Sequence, residues 1–134
     1  MFAKTTNIYL YTDDGGLVLI LRSPNDSNLP LVWETSGGHV DSVALTTDLD
    51  VLKIEALREL HEEMRLSLSP KDIRFFAEGS TDTHLAWLGI IPKDLVKEIE
   101  LSPEHCALKV AYRFNDVPKN TRHQVVQVAR VSLP

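Results

Sequence analysis

The segment that most narrows what this chain can fold into lies between Gly37-Gly38 and Pro70. There Val51, Ile54, Leu57, Leu60 and Met64 recur every three or four residues, the spacing of one face of an α-helix. That spacing predicts an amphipathic helix over residues 49–65, with Pro70 as its stop. The flanking sequence has a different period. Residues 4–12 alternate and are β-rich, Asp13-Asp14-Gly15-Gly16 tolerates positive φ, and residues 17–22 turn apolar again, which predicts a hairpin. Residues 23–30 read as a loop by composition, Leu31-Val32-Trp33 as a short third strand, and the paired glycines as a break. Beyond the helix, residues 73–77 and 85–91 read as strands around a turn-rich 78–82, residues 92–98 as a helical turn, and 108–114 as another strand. Asn120 is expected to cap a closing helix that carries Val125, Val126, Val128 and Ala129. Strands on both sides of one helix, with a second helix at the end, predict an α/β class fold: a mixed sheet covered by helices on its faces.

Size and charge narrow the function. At 134 residues the chain is expected to form a single domain over 1–134, and 43% hydrophobic with 25% charged residues is ordinary globular composition. The longest apolar runs, 17–21 and 85–91, fall far short of the roughly 20 residues that cross a bilayer, so no membrane span is expected. Asp13 and Asp14 interrupt the N-terminal apolar stretch too early for a signal peptide, and the lone Cys106 closes no internal disulfide. A cytoplasmic location follows as the expectation. A net charge of −5 speaks against a non-specific nucleic-acid surface, which needs clustered cations. A small anion bridged by metal remains open, as either monomer or homodimer.

The charge is concentrated on the helix: residues 48–65 carry six acids against three bases, a net of −3 out of the chain's −5. At 100° per residue, Glu62 and Glu63 fall about 60° and 40° to either side of Glu59, so three carboxylates share one face. A solvated helix face is one reading of such a run. The other is a site for a hard divalent cation, since Mg²⁺ takes carboxylate oxygens and often completes its shell with substrate phosphates.

Trp33-Glu34-Thr35-Ser36-Gly37-Gly38-His39-Val40-Asp41, followed by Arg58-Glu59-Leu60-His61-Glu62-Glu63-Met64-Arg65-Leu66, resembles the Nudix hydrolases. Their box reads G-x5-E-x7-R-E-U-x-E-E-x-G-U, with U a bulky aliphatic residue, and its R-E-U-x-E-E core is intact here. Two positions and one spacing depart from it. Asp50 replaces the first glutamate, eleven residues separate it from Gly38 instead of five, and Arg65 replaces the late glycine. Ser36 also stands where many members have proline. The resemblance implies a Nudix-like α/β/α sandwich with a mixed sheet and a catalytic loop-helix-loop. It implies Mg²⁺, or Mn²⁺, held by Glu59, Glu62, Glu63 and the Gly37 carbonyl, with Arg58 and Asp50 orienting the cluster. It further implies a loop acid as metal ligand, for which Glu104 is preferred over Glu98 and Glu100, and phosphate or substrate contacts from Arg22, Gly38 and His39.

The function implied is Mg-dependent hydrolysis of a pyrophosphate bond in a nucleoside diphosphate linked to another moiety, such as a nucleoside triphosphate. The proton acceptor is one of the helix glutamates or Glu104. Two rivals stand beside it. An isoprenoid-diphosphate isomerase shares a Trp-x-x-Ser-x-Cys-Gly-His segment, but Gly37 occupies the cysteine's place. A non-catalytic nucleotide-sensing module would not need all three carboxylates. His61, His84 and His123 lack the spacing of a shared metal site, and Trp33 and Trp87 read as core residues before base-stacking ones.

Overall fold

The computed structural model describes residues 4–40 and 48–134. Asp41, Thr46, Thr47 and most of the extra loop residues before the helix therefore lie outside the described residues. The elements run β1 (Thr5–Thr12), β2 (Leu17–Arg22), β3 (Trp33–Glu34), β4 (Ser36–His39), α1 (Leu49–Met64), β5 (Ile73–Phe75), β6 (His84–Ile91), β7 (His105–Ala111) and α2 (His123–Ser132). Among the described residues, seven strands form one mixed sheet. β1 pairs in parallel with β6 along its whole length, from Thr5↔His84 to Thr12↔Ile91.

The sheet splits where β1 and β2 diverge. The hairpin turn forms as its residues demand, with Gly15 at φ 94°, but only Tyr11↔Leu17 pairs before the strands separate. The short β3–β4 segment fills the gap: Trp33 and Glu34 pair with β2, and residues 36–39 pair with β1. The functional residues sit around this split.

Alternating side chains divide the core into two layers. Ile8, Leu10, Val18 and Ile20 face α1 with its Leu52, Ala56, Leu60 and Met64, while Tyr9, Tyr11, Leu17 and Leu19 pack with Val125, Val128 and Ala129 of α2. At about 1.5–3 kcal/mol per fully buried aliphatic side chain, both layers are needed to offset chain entropy. This is the expected sheet with a helix on each face, an α/β/α arrangement.

Several local expectations shift. The buried stripe of α1 runs through Leu52, Ala56, Leu60 and Met64; Val51 and Ile54 are 45% and 59% exposed, since the helix is rotated to set Ala56 and Glu63 against the sheet. α1 stops at Arg65, whose φ of 57° is left-handed, and Pro70 instead opens a 3-10 turn. The β-carbon at Arg65 costs on the order of 1 kcal/mol relative to glycine. Gly37 and Gly38 are paired strand and no break; Leu31 and Val32 precede the third strand, with Leu31 at a φ of 55°. The strand expected at 108–114 begins at His105 and ends at Ala111, because Phe114–Asp116 forms a 3-10 turn capped by the Asp116 carboxylate. Asn120 does not cap α2; Arg122 holds that position, and the Asn120 amide donates to the Leu31 carbonyl.

Candidate active site

A cavity of about 570 Å³ opens at the split in the sheet, and among its lining residues are Arg22, Glu34, Gly38, Glu59, Glu63 and Glu104. Glu63 comes from the sheet-facing side of α1 and is 4% exposed. Its Oε1 accepts from the Ser36 hydroxyl at 2.8 Å and the Gly37 N–H at 2.9 Å, which leaves its other oxygen for a ligand. Burial pushes the Glu63 carboxyl up to about 7, although those two hydrogen bonds favour the charged form. Glu59 is also raised, chiefly by burial; Arg58 opposes the rise, while Glu62, Glu55 and Glu104 add to it.

The paired glycines now have a physical reason. A Cβ on Gly37 would lie 2.5 Å from the Asn7 amide, and one on Gly38 would lie 2.9 Å from the Glu59 carboxylate. Any side chain at Gly38 would displace the acid that faces it. Gly37, Gly38 and His39 all border the cavity, His39 at the exposed end of β4.

Glu104 reaches the site because its loop is tied down on two sides. Backbone bonds from Glu100 N–H to the Met64 carbonyl and from Ser102 N–H to the Glu63 carbonyl dock the loop on the end of α1. Ser23 N–H to the Glu104 carbonyl, at 2.9 Å, ties it to the end of β2. Glu98 and Glu100, the competing acids, are exposed and are not among the residues lining the cavity.

The outward side of α1 is organised differently. Arg58 bonds the carboxylates of Glu55, Glu59 (3.0 Å) and Glu62 (2.6 Å), and its guanidinium is held above its ordinary pKa, first by Glu55. Glu62 has a 55% exposed side chain and turns to Arg58. Asp50, expected to join this cluster, is exposed on the first turn of α1, where its N–H takes the Asp48 carboxylate; Glu55 is the additional acid on Arg58.

Sequence reasoning missed the second charged group of the site, centred on Glu34. This carboxylate is 6% exposed and accepts from Arg22 Nη1 at 3.1 and 3.2 Å and Arg122 Nη1 at 3.3 Å, with His105 Nε2 at 2.8 Å. Burial works to raise its pKa, but the His105 hydrogen bond and the Arg22 charge outweigh it and hold the carboxyl below its ordinary range. Arg22 is clamped from its other side by Asp26 at 2.5 Å. A parallel bridge between Trp33 and Thr121 carries Arg122 to this point. Trp87 is core, its indole N–H donating to Thr6, and Trp33 packs in the α2 layer.

Do these residues fit a divalent cation? Carboxylate oxygens of Glu63 and Glu104 and a ring nitrogen of His105 all lie within 4.8 Å of one another. Donors at about 2.1 Å from one ion are about 3 Å apart when cis and about 4.2 Å when trans, so three donors enclosed within this distance need only local side-chain adjustment to converge on one ion. They fit.

No protein-family model matches the sequence, and no curated protein matches it. The fold has many counterparts among solved structures. The MutT protein of Methanosarcina mazei Go1 superposes with a TM-score of 0.67 at 19% identity, covering 95% of this chain and 89% of that one. The C. elegans Ap4A hydrolase, solved as a binary complex, gives 0.65 at 19% identity over 96% and 93%. The Nudix domain of Shewanella oneidensis NrtR, in complex with ADP ribose, gives 0.63 at 17% over 95% and 85%. The chain has the Nudix fold.

Proposed function

We propose that the protein is a divalent-metal-dependent Nudix pyrophosphohydrolase acting on a nucleoside diphosphate linked to another moiety. One observation carries this reading: buried Glu63, half-buried Glu59 and the loop acid Glu104 converge with the Gly37-Gly38 strand on a cavity that Arg22 also lines. Its volume, about 570 Å³, suits a nucleotide-sized ligand. The likeness to an Ap4A hydrolase and to a Nudix domain holding ADP ribose supports a nucleotide with a phosphoanhydride as substrate.

Glu59, Glu63 and Glu104, joined by Glu62 once it releases Arg58, would hold Mg²⁺ or Mn²⁺ together with the Gly37 carbonyl. When bound, the cation supplies charge neutralisation at the bridging phosphates and acidifies water beside the scissile phosphorus. The chain's own residues do the rest. Arg22, held by Glu34 and Asp26, presents its guanidinium to a phosphate oxygen, and Gly38 lets the backbone approach without a side chain in the way. A carboxylate of the Glu59, Glu62, Glu63 and Glu104 group accepts the proton of the attacking water and returns it to solvent as product leaves. His39 borders the cavity as a further substrate contact.

Incubating the metal-free chain with a panel of nucleoside triphosphates, dinucleoside polyphosphates and nucleotide sugars, with and without Mg²⁺, and reading product masses tests this. Cation-dependent cleavage at a phosphoanhydride is the expected result. Tight binding with no turnover on any member would instead make the chain a nucleotide-binding module.

A further inference from the structure

His105 opens β7 with a side chain only 2% exposed, and its two ring nitrogens have unequal surroundings. Nε2 lies 2.8 Å from the buried Glu34 carboxylate, an acceptor only when ionised, so this nitrogen carries the hydrogen. Nδ1 is buried with no hydrogen-bond partner among the described residues. Leaving a buried polar atom unmet costs about 1–3 kcal/mol, and such a group in a native site calls for a missing partner. The neighbours on hand are carboxylates: a His105 ring nitrogen, Glu63 and Glu104 share the 4.8 Å enclosure. Two carboxylates beside a buried imidazole whose second nitrogen has no partner is an arrangement that a cation satisfies.

We propose that His105 Nδ1 is a nitrogen ligand to the divalent cation between Glu63 and Glu104, with Glu34 fixing the ring by accepting its Nε2–H. The arrangement is the carboxylate–histidine–metal relay found where a protein sets both tautomer and ring orientation. Its consequence is selectivity. A shell of oxygens alone suits Mg²⁺, whereas an imidazole nitrogen moves preference toward Mn²⁺, Co²⁺ and Zn²⁺. The inference rests on the metal-binding reading above and adds to it a ligand and a class of ion.

The test uses the full chain stripped with chelator and loaded with Mn²⁺, read by pulsed electron paramagnetic resonance. A directly coordinated imidazole imposes a nitrogen coupling on the Mn²⁺ signal, and incorporating ¹⁵N-histidine must change that coupling. Loss in His105→Gln, and persistence in His39→Gln, His61→Gln, His84→Gln and His123→Gln, assigns it to His105. Titration of His105→Gln should give roughly tenfold or weaker Mn²⁺ affinity, with Mg²⁺ affinity changed less. Stoichiometric Mn²⁺ with oxygen-only coordination overturns the nitrogen ligand and leaves the carboxylate site standing. No Mn²⁺ binding at all overturns both. If His105→Gln does not fold, labelled wild-type protein still decides: no histidine coupling sinks the inference, and a coupling that survives the four other substitutions upholds it.

Discussion

Two charged clusters meet this cavity, and each is nearly the inverse of the other. On the outer side of α1 one cation, Arg58, gathers three carboxylates, and its own side chain is 48% exposed. At the split in the sheet one carboxylate, Glu34, gathers Arg22, Arg122 and His105, and its side chain is 8% exposed. Similar counts of contacts therefore carry different weights. Water competes for every member of the Arg58 group, so its pairs are each worth at most about 1 kcal/mol. Glu34 has been taken out of water and depends on its partners, while they depend on it for position. The proposed function divides the same way: the α1 side would supply negative charge for a cation, and the Glu34 side would hold a guanidinium ready for a phosphate.

The largest expected effect comes from breaking the buried group. Glu34→Ala leaves Arg22 and His105 without their shared acceptor and should cost about 3–5 kcal/mol in denaturant unfolding. Glu34→Gln, which still accepts from one side, should cost less. The pH dependence fixes the sign independently. The Glu34 carboxyl is lower in the folded chain than its ordinary value, so its contribution is full above the ordinary carboxylate range and is lost as pH falls through the folded value. Wild type should therefore lose stability on acidification more steeply than Glu34→Gln. Parallel acid limbs would show the group to be no more than a surface pair.

Glu63 has the opposite sign. Its folded pKa is raised to about 7, so without metal the folded state loses stability as pH rises from the ordinary carboxylate range through 7. That rise from 4.5 to about 7 corresponds to about 3 kcal/mol. Glu63→Gln should remove the loss: in chelator at pH 8 it melts higher than wild type, while its turnover falls about a hundredfold or more. A variant that gains stability and loses activity is the signature of a carboxylate kept buried for its ligand. If Glu63→Gln melts lower at pH 8, the burial penalty has been misassigned.

How much of this could be read in the sequence follows from how local each feature is. The Arg58-Glu59-Leu60-His61-Glu62-Glu63 cluster lies within two helical turns, so the helical period alone puts its acids on neighbouring positions. The Glu34 group joins residues 12, 71 and 88 positions away along the chain, through the β2–β7 pairing and the Trp33–Thr121 bridge. No local period encodes such a meeting. One signal was available: an acid at Glu34 beside a short apolar run in a strand would be buried and need partners. The rotation of α1 was hidden for a related reason. Val51 and Ile54 complete a plausible apolar stripe, but the stripe that packs includes Ala56 and ends beside Glu63, so apolarity alone favours the wrong side. Gly37 and Gly38 read as a break because glycine usually marks turns, whereas here the constraint is the side chains of Asn7 and Glu59 pressing on the strand.

Mg²⁺ should raise the melting temperature of the metal-free chain by several degrees. A cation that binds only the folded state adds about 1.4 kcal/mol at ten times its Kd. The gain should grow between pH 6 and pH 8, since the ion holds Glu63 ionised and cancels the cost described above. Sodium chloride at matched ionic strength is the control for screening. If it reproduces the shift, the carboxylates act only through their mutual repulsion.

The smallest stability effect is expected at Glu62, and it is the sharpest test of the contrast between the two sides of α1. Its carboxylate is solvated and paired with Arg58, so Glu62→Gln should change unfolding free energy by less than about 1 kcal/mol. Turnover should nevertheless fall about a hundredfold, because in the proposed function the same carboxylate would turn from Arg58 to the cation when substrate is bound. The pairing makes that swing inexpensive: Arg58 keeps Glu55 and Glu59 as partners, so releasing Glu62 strands no buried charge. Stability and activity thus separate at Glu62 in a different pattern from Glu63, where both move. Measuring kcat beside the chelator melting curve for both glutamine variants distinguishes them. Should Glu62→Gln retain wild-type turnover, the outer acids of α1 are a solvated face after all, and the metal site is confined to Glu59, Glu63 and Glu104.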